Sequence, residues 1–241
     1  MSSPSSRRER IVWHAAATER EWVAMSARAI EDALREALAH ASEARLLLSG
    51  GSTPAPVHRE LASNDLDWAR IVVGLVDDRD VGPDDDGSNA RLVRETLLFD
   101  RAGAAHFEPL RTSDSAPASA AAANARWSAP DIAVLGMGDD GHTASLFPGA
   151  SNLDAALAAT EPYVAIDASG SRAAGAFPRR ISLTPAGLAQ ARVRVLLLRG
   201  EDKRAIFERA LDPGDVRELP VRAAIDLPGA PLHVFWVSGE S

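Results

Sequence analysis

The densest group of chemically active side chains lies between Gly136 and Gly149, where four glycines surround Asp140 and His142. An imidazole with a carboxylate two residues away can be held in one tautomer and accept a proton near neutral pH. Glycine on both sides lets a ligand approach the backbone closely. His142 is the candidate general base, Asp140 its orienting partner, and Gly138 part of the surface a ligand would meet. No second His or Cys stands at a metal-ligand spacing from His142, so no metal is expected. A second group is Asp77-Asp78-Arg79, whose carboxylates suit acid/base or hydroxyl recognition and whose guanidinium offers a fixed fork of donors. Asp84-Asp85-Asp86-Gly87 downstream lacks the spacing and terminal Glu of an EF-hand.

The third group, Ser49-Gly50-Gly51-Ser52-Thr53-Pro54, precedes a helix-forming stretch. Gly50 and Gly51 permit close backbone approach, the following helix points free N–H groups at the loop, and Ser52 and Thr53 add hydroxyls. The segment has neither the Lys of a Walker loop nor a GxGxxG spacing, and a capped turn would hold the same residues. Arg180 and Lys203 complete the set; each alone reads as a solvated charge.

What must position these groups is a series of alternating strands and helices. Apolar runs at Ile11–Ala15, Arg45–Ser49, Ile71–Val76, Ala105–Glu108, Asp131–Leu135, Tyr163–Asp167, Val193–Arg199 and Leu232–Val237 read as strands. Between them, Thr18 and Glu21 form a capping-box pair ahead of a helix carrying Trp22, Met25, Ile30, Leu34 and Leu38 on one face. Further helices are predicted from Thr53, as cap, to about Ala62, and over Ser88–Phe99, Pro185–Ala191 and Glu201–Leu211. The Ala-rich stretch Ala116–Trp127 also reads as helix, capped by Ser113 or Ser115. Nearly continuous apolar strands imply a mostly parallel sheet covered on both faces: a Rossmann-like α/β fold, with ligands at the carboxyl ends of the strands. Each of the three groups directly follows a predicted strand.

The 241 residues, 46% hydrophobic and 25% charged, suit one globular domain over residues 10–241, after a disordered tail over 1–9. A net charge of -8 argues against a nucleic-acid partner. The absence of cysteine excludes disulfides, thiolate metal sites, Fe–S clusters and a Cys nucleophile. Apolar stretches such as Val195–Leu198 fall far short of the ~20 residues a membrane span needs. A membrane partner is therefore not expected, and the Ser/Arg-rich N-terminus lacks an apolar signal core, so the chain reads as cytoplasmic.

From about Arg45 to Val237 the chain resembles the 6-phosphogluconolactonase family, lactone hydrolases of the oxidative pentose phosphate pathway. The wider group includes glucosamine-6-phosphate deaminases and, more distantly, ribose-5-phosphate isomerases. Gly136–Pro148 matches the family's Gly-x-Gly-x-Asp-Gly-His-Thr-Ala-Ser-Leu-Phe-Pro motif. Leu48–Pro54 and Arg180–Thr184 match as well, with Ser182 where Thr is common, and Lys203 stands where the family has lysine. The usual Asp-Glu-Arg is Asp77-Asp78-Arg79 here, and Val-Pro is replaced by Val81-Gly82, with Pro83 one position later.

The resemblance implies a sugar-phosphate isomerase/CoA-transferase-like fold and water attack at C1 of 6-phosphoglucono-δ-lactone, without a cofactor. In that scheme His142 is the base, with Asp140 behind it. Arg79 stabilises charge on the carbonyl oxygen. Gly51, Ser52, Arg180 and Lys203 hold the 6-phosphate. Asp77 contacts sugar hydroxyls or competes as base. Ser145 lies in no nucleophile elbow, favouring a non-covalent route, and the chain is expected to be a monomer or weak dimer. Two other readings use the same fold. A deaminase would carry Asn-Glu-Pro where Leu146-Phe147-Pro148 stands, and a sugar-phosphate sensor would carry a DNA-binding module, whereas ten residues precede Ile11.

Overall fold

Apolar strands flanked by amphipathic helices build the fold, which a computed structural model describes over residues 7–239. In chain order the elements are β1 (Ile11–Ala16), α1 (Glu19–His40), β2 (Ala44–Leu48), α2 (Ala55–Ala62), β3 (Ile71–Leu75), β4 (Asp77–Arg79), α3 (Asn89–Thr96), β5 (His106–Phe107) and α4 (Ala116–Ala125). Then come β6 (Ile132–Gly136), α5 (Leu153–Ala158), β7 (Tyr163–Asp167), β8 (Arg179–Leu183), α6 (Pro185–Leu188), β9 (Val193–Arg199), α7 (Glu201–Leu211), α8 (Val221–Ile225) and β10 (Leu232–Val237). No helix among the described residues is long and apolar enough to cross a membrane.

Seven strands form one all-parallel sheet in the order β1-β10-β9-β6-β2-β3-β5. From β2 the chain moves outward through β3 to β5, then returns to β6 and moves the other way through β9 to β10. The direction of winding therefore reverses between β2 and β6, and a crevice opens at such a switch point beyond the strands' carboxyl ends. The loops that leave β2 and β6 are Ser49–Pro54 and Met137–Gly149, two of the three groups singled out in the sequence.

Burial explains why these strands were legible. β3 is buried along its whole length and β6 nearly so, because helices cover both faces. Helix α1 presses Trp22, Ile30 and Leu34 into the core from one side. Its start follows the expected cap, with Thr18 Oγ1 accepting from Glu21 N–H at 3.2 Å while the Glu21 carboxylate accepts from Ala17 N–H at 2.9 Å. Ser88 and Ser115 cap α3 and α4.

Several expectations need correction. Thr53 does not cap α2: Pro54 holds the cap position, and no side chain bonds there. Asp77–Arg79, expected as loop, is a strand in a second sheet of order β4-β8-β7, entirely antiparallel. Tyr163–Asp167 belongs to that sheet as well, and β8 had not been predicted. Its polar sequence, Arg-Arg-Ile-Ser-Leu, conceals a strand that backbone pairing on both edges secures. Of the expected N-terminal tail, residues 1–6 lie outside the described residues. Arg7, however, is anchored, with Nε and Nη2 both 2.7 Å from the Asp226 carboxylate and Nη1 donating to Asp212 O.

Candidate active site

A cleft of ≈ 230 Å³ opens where the parallel sheet's switch point meets the small antiparallel sheet. One wall is Ser49–Pro54, arriving from β2, with Gly51 at φ 103°, a left-handed conformation that a side chain would strain. Gly50 is required for a different reason. A β-carbon there would stand 2.0 Å from Asn89 Oδ1, so only glycine lets the loop lie against the start of α3.

The opposite wall is the loop after β6. His142 Nδ1 lies 2.5 Å from Asp140 Oδ1, and the same oxygen accepts the His142 backbone N–H at 3.1 Å. The loop doubles back on itself through Gly138 N–H to His142 O at 2.9 Å, with Gly141 at φ 77°. Burial works against charge on Asp140, but the hydrogen bond and positive field of His142 outweigh it and hold its carboxyl below the usual range. The imidazole packs on Phe147 at 4.1 Å between ring centroids. A carboxylate on Nδ1 fixes the proton there and leaves Nε2 as the basic nitrogen.

The floor comes from the antiparallel sheet. Asp77 and Arg79 sit at alternate positions of β4 and both line the cleft. Asp78 points the other way. Fully buried, its carboxylate accepts N–H groups of Asn89 at 2.7 Å and Ala90 at 3.3 Å, at the N-terminus of α3, and of Arg79 at 2.8 Å. Burial pushes its carboxyl up to about 6 despite those bonds, and the neighbouring Asp77 charge adds to the rise.

Arg180, in register opposite Arg79, enters from β8. Backbone carbonyls of Phe177 and Ala174 hold it at 2.5 and 3.0 Å, and its guanidinium lies 5.2 Å from the centroid of Phe147. Burial presses it down to about 10, against the attraction of Asp77. Lys203, in the first turn of α7, reaches the cleft with Nζ on Met137 O at 2.8 Å and Asp139 at 3.8 Å.

The structure thus gathers every sequence-predicted site residue. Gly50, Gly51, Ser52 and Thr53 line the cleft with Asp77 and Arg79, and Gly138, His142, Arg180 and Lys203 face them. Asp140 stands behind His142. Sequence reasoning missed Asn89, which lines the cleft and donates Nδ2 to Asp77 O at 2.8 Å; its only signal was its place after the Ser88 cap. Among the described residues no three His, Asp or Glu side chains converge as metal ligands do.

Comparisons with known proteins find relatives over most of the chain. A family model described as glucosamine-6-phosphate isomerases/6-phosphogluconolactonase matches residues 17–235. The 6-phosphogluconolactonase of Xylella fastidiosa (strain 9a5c) is 47% identical over 220 residues, covering 90% of this chain and 92% of the relative. That of Rhizobium meliloti (strain 1021) is 41% identical over 84% of this chain and 88% of its own length. A crystal structure of a 6-phosphogluconolactonase from Shewanella baltica OS155 superposes with a TM-score of 0.86 at 34% identity, covering 94% of this chain and 97% of that one.

Proposed function

This chain belongs to the glucosamine-6-phosphate isomerase/6-phosphogluconolactonase family, and on that premise we propose that it hydrolyses 6-phospho-D-glucono-1,5-lactone to 6-phosphogluconate. The observation that carries the proposal is the His142–Asp140 pair at 2.5 Å, facing across one cleft a set of cationic and backbone donors suited to a phosphate. His142 Nε2 takes a proton from water as its oxygen attacks C1. The carbonyl π electrons move onto oxygen, where Arg79 stabilises the negative charge. Collapse of the tetrahedral intermediate breaks the bond from C1 to the ring oxygen, which leaves with the proton held by His142. Asp77 accepts hydrogen bonds from sugar hydroxyls.

The phosphate lies against Gly50, Gly51, Ser52 and Thr53 at the start of α2, with Arg180 and Lys203 as its cations. A planar fork and a mobile point charge, with N–H donors from the glycine loop, match a dianion better than they match the neutral lactone ring. No cofactor takes part. We place the activity in the cytoplasm, in a monomer or weak dimer without nucleic-acid or membrane partners.

The deaminase reading is disfavoured by the same loop. Where that branch carries a Glu to assist ring opening, this chain has Phe147, buried and packed on the imidazole. The test compares freshly made 6-phosphogluconolactone with unphosphorylated gluconolactone, corrected for spontaneous hydrolysis. The phosphorylated lactone is expected to have the higher kcat/KM by at least one to two decades, about the worth of one charge-assisted bond. Equal values for the two lactones would overturn the substrate assignment.

A further inference from the structure

Ser145 is fully buried three residues beyond His142, makes no hydrogen bond to it and does not line the cleft. It is therefore not placed to attack a substrate. Its hydroxyl instead donates to Asp77 Oδ2 at 2.6 Å, the length of a charge-assisted O–H···O⁻ bond. Its backbone N–H is accepted by Ser182 Oγ at 3.0 Å, and Ser182 is the residue opposite Asp77 in the β4–β8 pairing. The Ser182 hydroxyl spends its own proton on Leu183 O at 3.0 Å, so it can only accept from Ser145.

Three residues from three segments thus close a ring of contacts under the cleft. Ala144, immediately before Ser145, sits at φ 51° without being glycine, a strained conformation that persists only where its surroundings enforce it. Among the described residues, Asp77 Oδ1 by contrast has only a long 3.4 Å contact from Asn89 Nδ2, and it keeps acceptor capacity in a residue that lines the cleft.

We propose that Ser145 is a positioning residue for Asp77: it ties down one carboxylate oxygen so that the other is presented to a hydroxyl of the substrate ring. The inference rests on the reading of Asp77 as the group that binds sugar hydroxyls. Through this hydroxyl the loop that carries the base also sets the aim of the group that seats the ring.

The experiment measures kcat and KM for 6-phosphogluconolactone and for analogues each lacking one ring hydroxyl, in wild type, Ser145→Ala, Ser145→Cys, Asp77→Asn and the Ser145→Ala/Asp77→Asn double variant. Cysteine fills the same space with a weak donor, so it carries the test if the alanine variant folds poorly. Wild type is expected to discriminate against one analogue by about 10- to 100-fold. Both Ser145 variants should reduce that discrimination by on the order of tenfold. In the Asp77→Asn background, Ser145→Ala should change it no further. If the Ser145 variants slow all lactones equally and keep the discrimination, the residue is merely structural and the proposal falls, while Asp77 keeps its role. If Asp77→Asn discriminates as wild type does, the reading of Asp77 falls, and the proposal with it.

Discussion

The two sheets equip one cleft by opposite means. The parallel sheet keeps its central strands β2, β3 and β6 largely apolar and buried, so its contributions come from beyond the strand ends: the Ser49–Pro54 loop, the Gly138–His142 turn, and Lys203 on α7. The antiparallel sheet places its functional groups within the strands, Asp77 and Arg79 on β4 and Arg180 on β8. Loops bring backbone N–H groups and a basic imidazole close to a ligand. Strands hold charges at fixed positions, with backbone carbonyls gripping them. Each arm fails differently when altered, and that difference can be measured.

The loop arm should show the largest effects. His142→Ala removes the proton acceptor and is expected to lower kcat by roughly 10²- to 10⁴-fold with the fold retained. Gly138→Ala keeps the imidazole but sets a β-carbon 2.2 Å from its Cε1 and Nδ1 and 2.8 Å from Asp140 Oδ1, so the pair must move. A displacement of that size costs about 10²-fold in kcat. Steady-state kinetics on both variants, with circular dichroism as the check on folding, test whether geometry matters as much as presence. Wild-type turnover in a folded Gly138→Ala protein would show that the loop tolerates rearrangement and that the glycine is incidental.

The same division explains how much could be read in advance. The parallel strands and the helices between them are legible because burial on both faces leaves runs such as Ile71–Leu75 and Ile132–Gly136 with almost no polar residue. The loop arm is legible because glycine at that density around Asp140 and His142 has few other uses. In the antiparallel sheet only Tyr163–Asp167 was legible; β4 and β8 were not. Asp-Asp-Arg holds no apolar residue, and in Arg-Arg-Ile-Ser-Leu the alternation is confined to Ile181-Ser182-Leu183, too short to stand out; pairing across the sheet secures both strands. Asn89 and Ser145 were invisible as site residues because their roles depend on contacts with Asp77 from 12 and 68 positions away.

A smaller effect separates the two cations. Removing either Arg180 or Lys203 should raise KM for the phosphorylated lactone by about one to two decades, with less change in kcat, because the phosphate is remote from C1. The conservative exchanges should then diverge. Arg180→Lys cannot reproduce a fork held by two carbonyls while stacked beside Phe147, and most of the loss should remain. Lys203→Arg replaces a single point charge on Met137 O and should recover much of the affinity. KM for the four variants decides the matter, and full recovery in Arg180→Lys would erase the distinction between a gripped and a mobile cation.

The smallest effect lies on β4 itself, where neighbouring carboxylates have parted company. Asp77 faces the cleft, while Asp78 is fully buried at the N-terminus of α3, so Asp78→Asn should change stability and leave kcat/KM near wild type. The carboxyl of Asp78 is raised from 3.8 to about 6 in the folded protein, chiefly by burial. Between those values the folded chain holds a proton that the unfolded chain has lost, so stability falls as pH rises through the window. The penalty is absent below the unfolded value and complete above about 6; at ~1.4 kcal/mol per pH unit it reaches roughly 3 kcal/mol. Asparagine never ionises and removes that slope. The three backbone N–H bonds to the carboxylate are already counted in that penalty, since they hold the value at about 6 against burial. Urea unfolding from pH 4 to 7 should therefore give a flatter dependence for Asp78→Asn than for wild type, with the two proteins closest in stability at the acid end, where the Asp78 carboxyl is also neutral. Identical slopes would mean that Asp78 stays ionised throughout, its helix N-terminus and backbone donors outweighing burial.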